Sequence, residues 1–267
     1  MIRDITIGQY YPAKSPIHKL YPRTKLAGTL IFIISVFLFH TVVGYAVATV
    51  FLAGMILIST VPVKFIFKGL KAIFMILLIT MVFNILLTPG EAIVTLGIFK
   101  ITKEGITMAV RMAIRLIYLV IGSSLMTLTT TPNQLTDGLE KSLRPLNKIH
   151  VPVHEIAMMM SIALRFIPIL LEETDKIMKA QIARGADFEN GNLIQKVKNM
   201  VPLLVPLFIS AFRRANDLAL AMEARCYHGG EGRTQMKPLR YQTRDYAAYG
   251  VLMAYLVCSI GLRVCGL

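Results

Sequence analysis

Thr41–Val61 reads TVVGYAVATVFLAGMILISTV, twenty-one residues without a single charge. A hydrocarbon core about 30 Å thick takes about 20 apolar residues in one helix, and this stretch supplies them. The rest of the chain has the same character. Of its 267 residues 55% are hydrophobic and 16% charged, against about 25% charged in soluble domains. The mean hydropathy of +0.62 excludes an ordinary soluble domain and points to an all-α integral membrane protein.

Moving outward from that span, four more stretches read as membrane helices. Leu26–Phe39 lies just before it and is short, joined through His40-Thr41 with no charged break. The two form either a tight hairpin or one bent interfacial pair. Ala72–Thr88, Ile106–Thr130 and Tyr246–Leu262 complete the set of about five. Residues 1–131 thus form an N-terminal membrane domain with spans at about 26–39, 41–61, 72–88 and 106–130. Residues 132–240 form a cytoplasmic region, and 241–267 a last transmembrane helix.

The net charge of +14 is unevenly placed. Residues 132–245 hold 16 basic and 12 acidic side chains, and the remainder holds 13 basic against 3 acidic. The excess therefore flanks apolar runs, which is the positive-inside bias of a membrane protein and not a nucleic-acid surface. Lys14, Lys19, Arg23 and Lys25 precede the first span, and Lys64, Lys68 and Lys71 separate the second from the third. Loop 89–105 is neutral. These flanks predict that the N-terminus and residues 132–240 are cytoplasmic, with the C-terminus outside. Arg111 and Arg115 then fall near the outer end of the fourth span, either snorkelling to water or lining an ion pathway. Cys226, Cys258 and Cys265 have no metal or disulfide spacing, and the N-terminus shows no signal-peptide core.

Residues 132–240 are apolar for a cytoplasmic region. Thr131-Pro132-Asn133-Gln134 has the form of a capping box and predicts a helix over 132–143, stopped by Arg144-Pro145. Two long helices are predicted at about 152–185 and 193–226, each roughly 50 Å long at 1.5 Å per residue. Their first halves, Ile156–Leu171 and Met200–Phe212, are apolar but short, and Arg165, Pro168, Pro202 and Pro206 interrupt them. Their second halves are amphipathic and end in arginine.

The two long helices repeat each other at an offset of 41 residues, which sets Arg184 over Arg225. Ile177, Ala180 and Ala183 fall on Leu218, Ala221 and Ala224. Each helix thus carries a small-residue stripe ending in a cation, as Ala183-Arg184-Gly185 and Ala224-Arg225-Cys226. One terminal arginine offsets a helix dipole. Two at equivalent places read as duplicated docking tips, since the guanidinium fork suits carboxylates in a pocket. Glu172-Glu173 align with Arg213-Arg214, so helices crossing near their middles would join these as ion pairs.

Several chemistries are missing. No G-x-x-x-x-G-K-[ST] occurs, so the chain should not hydrolyse ATP. Gly229–Thr234 is glycine-rich without that lysine and reads as a helix-ending turn. His150 and His154 are separated by Pro152 and lack a third ligand. Fifteen methionines suit adaptable packing.

These residues resemble the EcfT/CbiQ family, the transmembrane coupling (T) components of energy-coupling factor (ECF) transporters of the ABC type. GQYYPAKSPIHKLYPRTKL (8–26) is similar to the family's N-terminal segment. ALRFIPIL (163–170) with AQIARGADF (180–188), and AFRRANDLALAMEARCYHGGEGRT (211–234), are similar to its two long coupling helices. The resemblance covers nearly the whole chain, and the N-terminal segment is most like the shared (group II) type. It implies a non-catalytic subunit of the prokaryotic cell membrane, working in uptake of vitamins or other micronutrients. The implied partners are two cytoplasmic ABC-type ATPases and interchangeable membrane S components that capture the substrate. ATP and Mg would be bound by the ATPases, and no cofactor by this chain. The tips at 183–185 and 224–226 would dock into the ATPases. The apolar helix ends, bent at Pro168, Pro202 and Pro206, would form the S-component platform. Two departures stand out: Cys226 replaces the usual glycine, and Tyr21 stands before Pro22 where the family usually has aspartate. A self-sufficient secondary transporter is the competing reading. It expects inverted repeats and ionisable residues at mid-span.

Overall fold

The computed structural model describes residues 10–39, 41–96, 99–186, 188, 192–229 and 241–264. Among the described residues the regular structure is helical except for one short hairpin. In order the elements are α1 (Pro22–Leu38), α2 (Val42–Ser59), α3 (Val63–Leu87), β1 (Ala92–Leu96), β2 (Phe99–Thr102), α4 (Lys103–Thr129), α5 (Pro132–Leu143), a 3-10 turn (Arg144–Ile149), α6 (Val153–Ala183), α7 (Leu193–Glu223) and α8 (Thr243–Val264). The hairpin lies in the loop that the sequence left without structure. Its strands pair antiparallel, Leu96 opposite Phe99 and Ala92 opposite Thr102, with an irregularity between Ala92 and Val94.

The helix bounds follow from local chemistry. Pro22 stands at the start of α1, where its missing N–H costs nothing. The capping box at α5 is formed: Gln134 N donates to Thr131 Oγ1 and Thr131 N to Gln134 Oε1, both at 3.3 Å. Arg144-Pro145 turns the chain out of α5 into the 3-10 segment. Spans one and two are separate helices, α1 and α2, with Phe39 and Thr41 as their facing cap residues.

Contacts divide the chain into two compact units, residues 8–138 with 239–267, and residues 139–238 with 1–7. The dividing point lies within α5 rather than before it. In the first unit α4 packs on α3 and α1, and α8 on α1 and α2. Its core is Phe32, Val36, Phe39, Tyr45, Ala48, Leu52 and Tyr255. Phe51 stacks on Tyr255 at 4.2 Å between centroids. Lipid tails are as apolar as leucine, so close packing and hydrogen bonds must hold these helices together. Gly122 serves the packing: a Cβ there would lie 2.8 Å from the Phe32 ring. The buried Ser35 hydroxyl and Tyr255 phenol share a 2.7 Å hydrogen bond between α1 and α8.

Polar side chains tie the first unit where α1 and α8 begin and α4 ends. Asp245 is 2% exposed and accepts from Tyr21 N at 2.8 Å, Thr24 Oγ1 at 3.5 Å and Gln242 N at 2.8 Å. One carboxylate thus serves two helix N-termini. Lys25 Nζ donates to Thr129 O at 2.8 Å and His18 O at 3.1 Å, satisfying a carbonyl at the end of α4. His18 Nε2 faces Tyr11 O at 3.0 Å and Nδ1 faces Ser15 Oγ at 2.7 Å. A carbonyl only accepts, so the ring proton sits on Nε2 and the serine hydroxyl donates to Nδ1.

Arg115 also differs from a snorkelling side chain. Its Nη2 donates to Phe39 O at 3.3 Å, and its guanidinium lies 5.3 Å from the Phe37 ring centroid. It closes the C-terminal end of α1.

Among the described residues four helices are long and apolar enough to cross a membrane: α2, α4, α6 and α8. A fifth is α3 if its halves, Val63–Lys71 and Ile73–Leu87, which meet at 57°, count as one span. Helix α1 has only 17 residues. Helix α6 qualifies because it continues through Pro168 for 31 residues, joining the short apolar run at 156–171 to more helix.

Candidate functional site

The second unit carries the duplicated helix ends. Helix α6 finishes at Ala183, and Gly185 takes a left-handed φ of 87°. Ala186 N donates to Gln181 O at 3.0 Å, and Gly185 N to Ile182 O at 2.9 Å. This is the Schellman pattern, in which a left-handed residue folds the chain back onto the last carbonyls. At the end of α7, Tyr227 N donates to Met222 O at 3.1 Å and Cys226 N to Glu223 O at 2.8 Å. Cys226 has φ 55°. The bonds match, residue for residue, at the offset of 41. Cysteine thus adopts the conformation that glycine takes in the first copy, at a steric cost. Ala183, Arg184, Gly185, Ala224, Arg225 and Cys226 are all exposed. Each arginine stands one residue before the left-handed turn, with its side chain toward solvent.

Helices α6 and α7 pack on each other. Arg214 Nη2 lies 2.5 Å from Glu173 Oε2, and Ser210 Oγ donates to Glu173 Oε1 at 2.5 Å. Further along, Gln181 Nε2 donates to Pro202 O at 3.4 Å. As position rises on α6 it falls on α7, so the helices run antiparallel. The two arginine tips therefore lie at opposite ends of the pair. Glu173 and Arg214 are also equivalent in the repeat. An antiparallel pair whose equivalent residues touch has an approximate two-fold axis through that contact.

Of the four side chains expected to meet, Glu173 and Arg214 are in contact. Glu172 and Arg213 are exposed, with no ion pair seen for either among the described residues. Sequence reasoning missed Ser210, whose signal was its position as the one polar side chain within 200–212. It also missed the partner of the Pro202 carbonyl. An α-helical N–H four residues on would normally bond that carbonyl, and residue 206 is proline. Gln181 fills the vacancy. Pro168, Pro202 and Pro206 all lie inside continuous helices. His154 Nδ1 meets Glu140 Oε1 at 2.9 Å, and His150 sits in a left-handed turn with φ 61°. Of the glycine-rich segment 229–234, residues 230–234 lie outside the described residues.

Residues 13–236 match the family model of CbiQ, described as cobalt transport protein. The chain is 57% identical to the energy-coupling factor transporter transmembrane protein EcfT of Clostridium kluyveri, over 99% of this chain and 98% of that one. It is 50% identical to the EcfT of Bacillus subtilis, over 98% and 100%. The chain belongs to the CbiQ/EcfT family. The EcfT of Acidaminococcus fermentans is 51% identical over 98% of both chains. Family membership makes this a multi-pass transmembrane component of an energy-coupling factor transporter, a transport subunit rather than a catalyst. Its arginine-tipped helix ends lie within the CbiQ match, at residues 183–185 and 224–226.

Proposed function

We propose that this CbiQ/EcfT chain couples ATP hydrolysis by two cytoplasmic ABC-type ATPases to uptake of a vitamin or other micronutrient captured by a membrane S component. ATP and Mg belong to the ATPases, and the chain itself contributes mechanical linkage. The observation that carries this reading is the pair of matching Schellman ends, each exposing one arginine, at opposite ends of an antiparallel helix pair. Two equivalent tips facing apart suit two equivalent partners better than one pocket. Each guanidinium can make a forked, charge-assisted bond to a carboxylate in a groove.

An exposed apolar stripe on α7 supports the platform half of the proposal. Val197, Val201, Leu204, Phe208 and Phe212 recur at helical spacing, and Phe208 and Phe212 are 61% and 68% exposed. Apolar surface of this kind requires lipid or a protein partner. Interchangeable S components are its natural occupants. In this arrangement the N-terminus and residues 132–240 are cytoplasmic, and the C-terminus is outside.

Arg184→Glu and Arg225→Glu test the tips. Each should weaken ATPase co-purification and ATP-dependent uptake, and the double variant should lose both while still inserting in the membrane. A double variant that retains wild-type uptake rejects the docking role. Uptake by the purified chain alone, without any ATPase, would support the self-sufficient transporter instead.

A further inference from the structure

In the first unit a cavity of about 390 Å³, partly open at the surface, lies between α1, α2, α4 and α8. Its wall is nearly all apolar, with Phe32, Leu52, Met55, Leu125 and Leu252 along its length. Both charged groups, Lys25 and Arg244, meet it at one end with Thr24 and Thr129, while Thr29 along the wall turns its hydroxyl to Lys25 O at 2.9 Å. Lys25 is committed to backbone carbonyls, whereas Arg244 is exposed. From Thr24 to Phe32 on α1 and from Arg244 to Leu252 on α8, the cavity runs about 12 Å along the helices at 1.5 Å per residue.

A cluster of tyrosines marks the level of the polar end. Tyr241 lies 4.5 Å from Tyr21, 6.2 Å from Tyr246 and 6.4 Å from Tyr249, measured between ring centroids. Tyrosine concentrates at membrane–water interfaces, where its ring is apolar and its hydroxyl wet. Arg244 therefore stands at headgroup level, and the apolar end of the cavity lies at acyl-chain depth. A cavity of this volume and lining falls in the range of ligand sites.

We propose that this cavity holds one acyl chain of an anionic phospholipid, with the lipid phosphate on Arg244. The arginine fork matches phosphate oxygens, and the cation favours lipids of net negative charge. Two features of one ligand thus meet two features of one site: an apolar tail about 12 Å deep, and an anion at its mouth.

The test is native mass spectrometry of the full-length chain in mild detergent, after exposure to equimolar phosphatidylglycerol and phosphatidylcholine. The wild type should retain one phosphatidylglycerol per chain, preferred about tenfold because the choline cation of phosphatidylcholine offsets the phosphate charge that Arg244 attracts. Arg244→Gln should keep a lipid but lose the preference. Ala248→Phe, which projects a ring from the cavity wall, should lose the lipid while keeping helical circular dichroism. A photo-crosslinker at position 248 should capture lipid in membranes, independently of whether Ala248→Phe folds. Equal retention of both lipids by the wild type would overturn the proposal. So would an unchanged lipid count in a folded Ala248→Phe, or a crosslink from position 248 to another protein's helix.

Discussion

At φ 55° Cys226 carries a side chain where its repeat partner Gly185, at φ 87°, carries none. The matching backbone bonds hold it there against a left-handed penalty of about 1 kcal/mol. Cys226→Gly should therefore raise stability by about that amount, seen as a higher melting temperature in detergent, with transport retained. Cys226→Val should lower it, because a β-branched residue tolerates this region least. His18 gives a second expectation at this scale. Burial holds its pKa below the ordinary 6.5; the bond to Tyr11 O opposes this, and the Lys25 cation adds to it. The unfolded chain then binds more protons than the native one between that ordinary value and the depressed native one. Its stabilising contribution is complete above about pH 6.5 and declines as the pH falls. Melting temperature should drop between pH 7.5 and 5.5, and His18→Gln should flatten that slope.

At the scale of elements, the α6–α7 pair rests on Glu173, Ser210 and Arg214. The two charged side chains are 22% and 37% exposed, so solvent screens the pair and its worth is about 1 kcal/mol or less. Glu173→Arg or Arg214→Glu alone should lower the melting temperature, and the exchanged double variant should recover most of the loss. Absence of recovery would place the stabilisation in the Ser210 bonds instead. The aligned acidic and basic pairs were legible in the sequence, but which member of each faces the partner was not. The repeat offset is blind to helix rotation, and only packing turned Glu173 and Arg214 inward and left Glu172 and Arg213 in solvent. The long helices were legible through the prolines because apolar periodicity continues on both sides of them.

For the whole molecule, the short charged flanks predict an inside N-terminus and a cytoplasmic coupling region. A membrane-impermeant maleimide should therefore leave Cys226 unlabelled in intact cells and label it after permeabilisation. Labelling in intact cells would reverse the topology. The span count of about five agrees with the four or five helices that are long and apolar enough to cross a membrane among the described residues. The apolar run 156–171 reads as part of a long coupling helix at about 152–185 rather than as a span, because Arg165 and Pro168 are costly at mid-bilayer. Helix α6 is continuous through both residues, and α1 has 17 residues with Arg115 across its end.

The sequence by itself determined the helical membrane class, the capping box at Thr131, the repeat with its two arginine tips, and the family. Each is written in local pattern: apolar run length, cap spacing, an offset of 41, and matched segments. Only the tertiary structure decided that Asp245 serves the start of α1, where Tyr21 provides no carboxylate, although 224 residues separate the two. It likewise placed Gln181 on the carbonyl that Pro206 leaves free, and opened an apolar cavity beside Arg244. Such contacts join residues distant in the chain, and they arise when helix ends and faces meet, which no local pattern records.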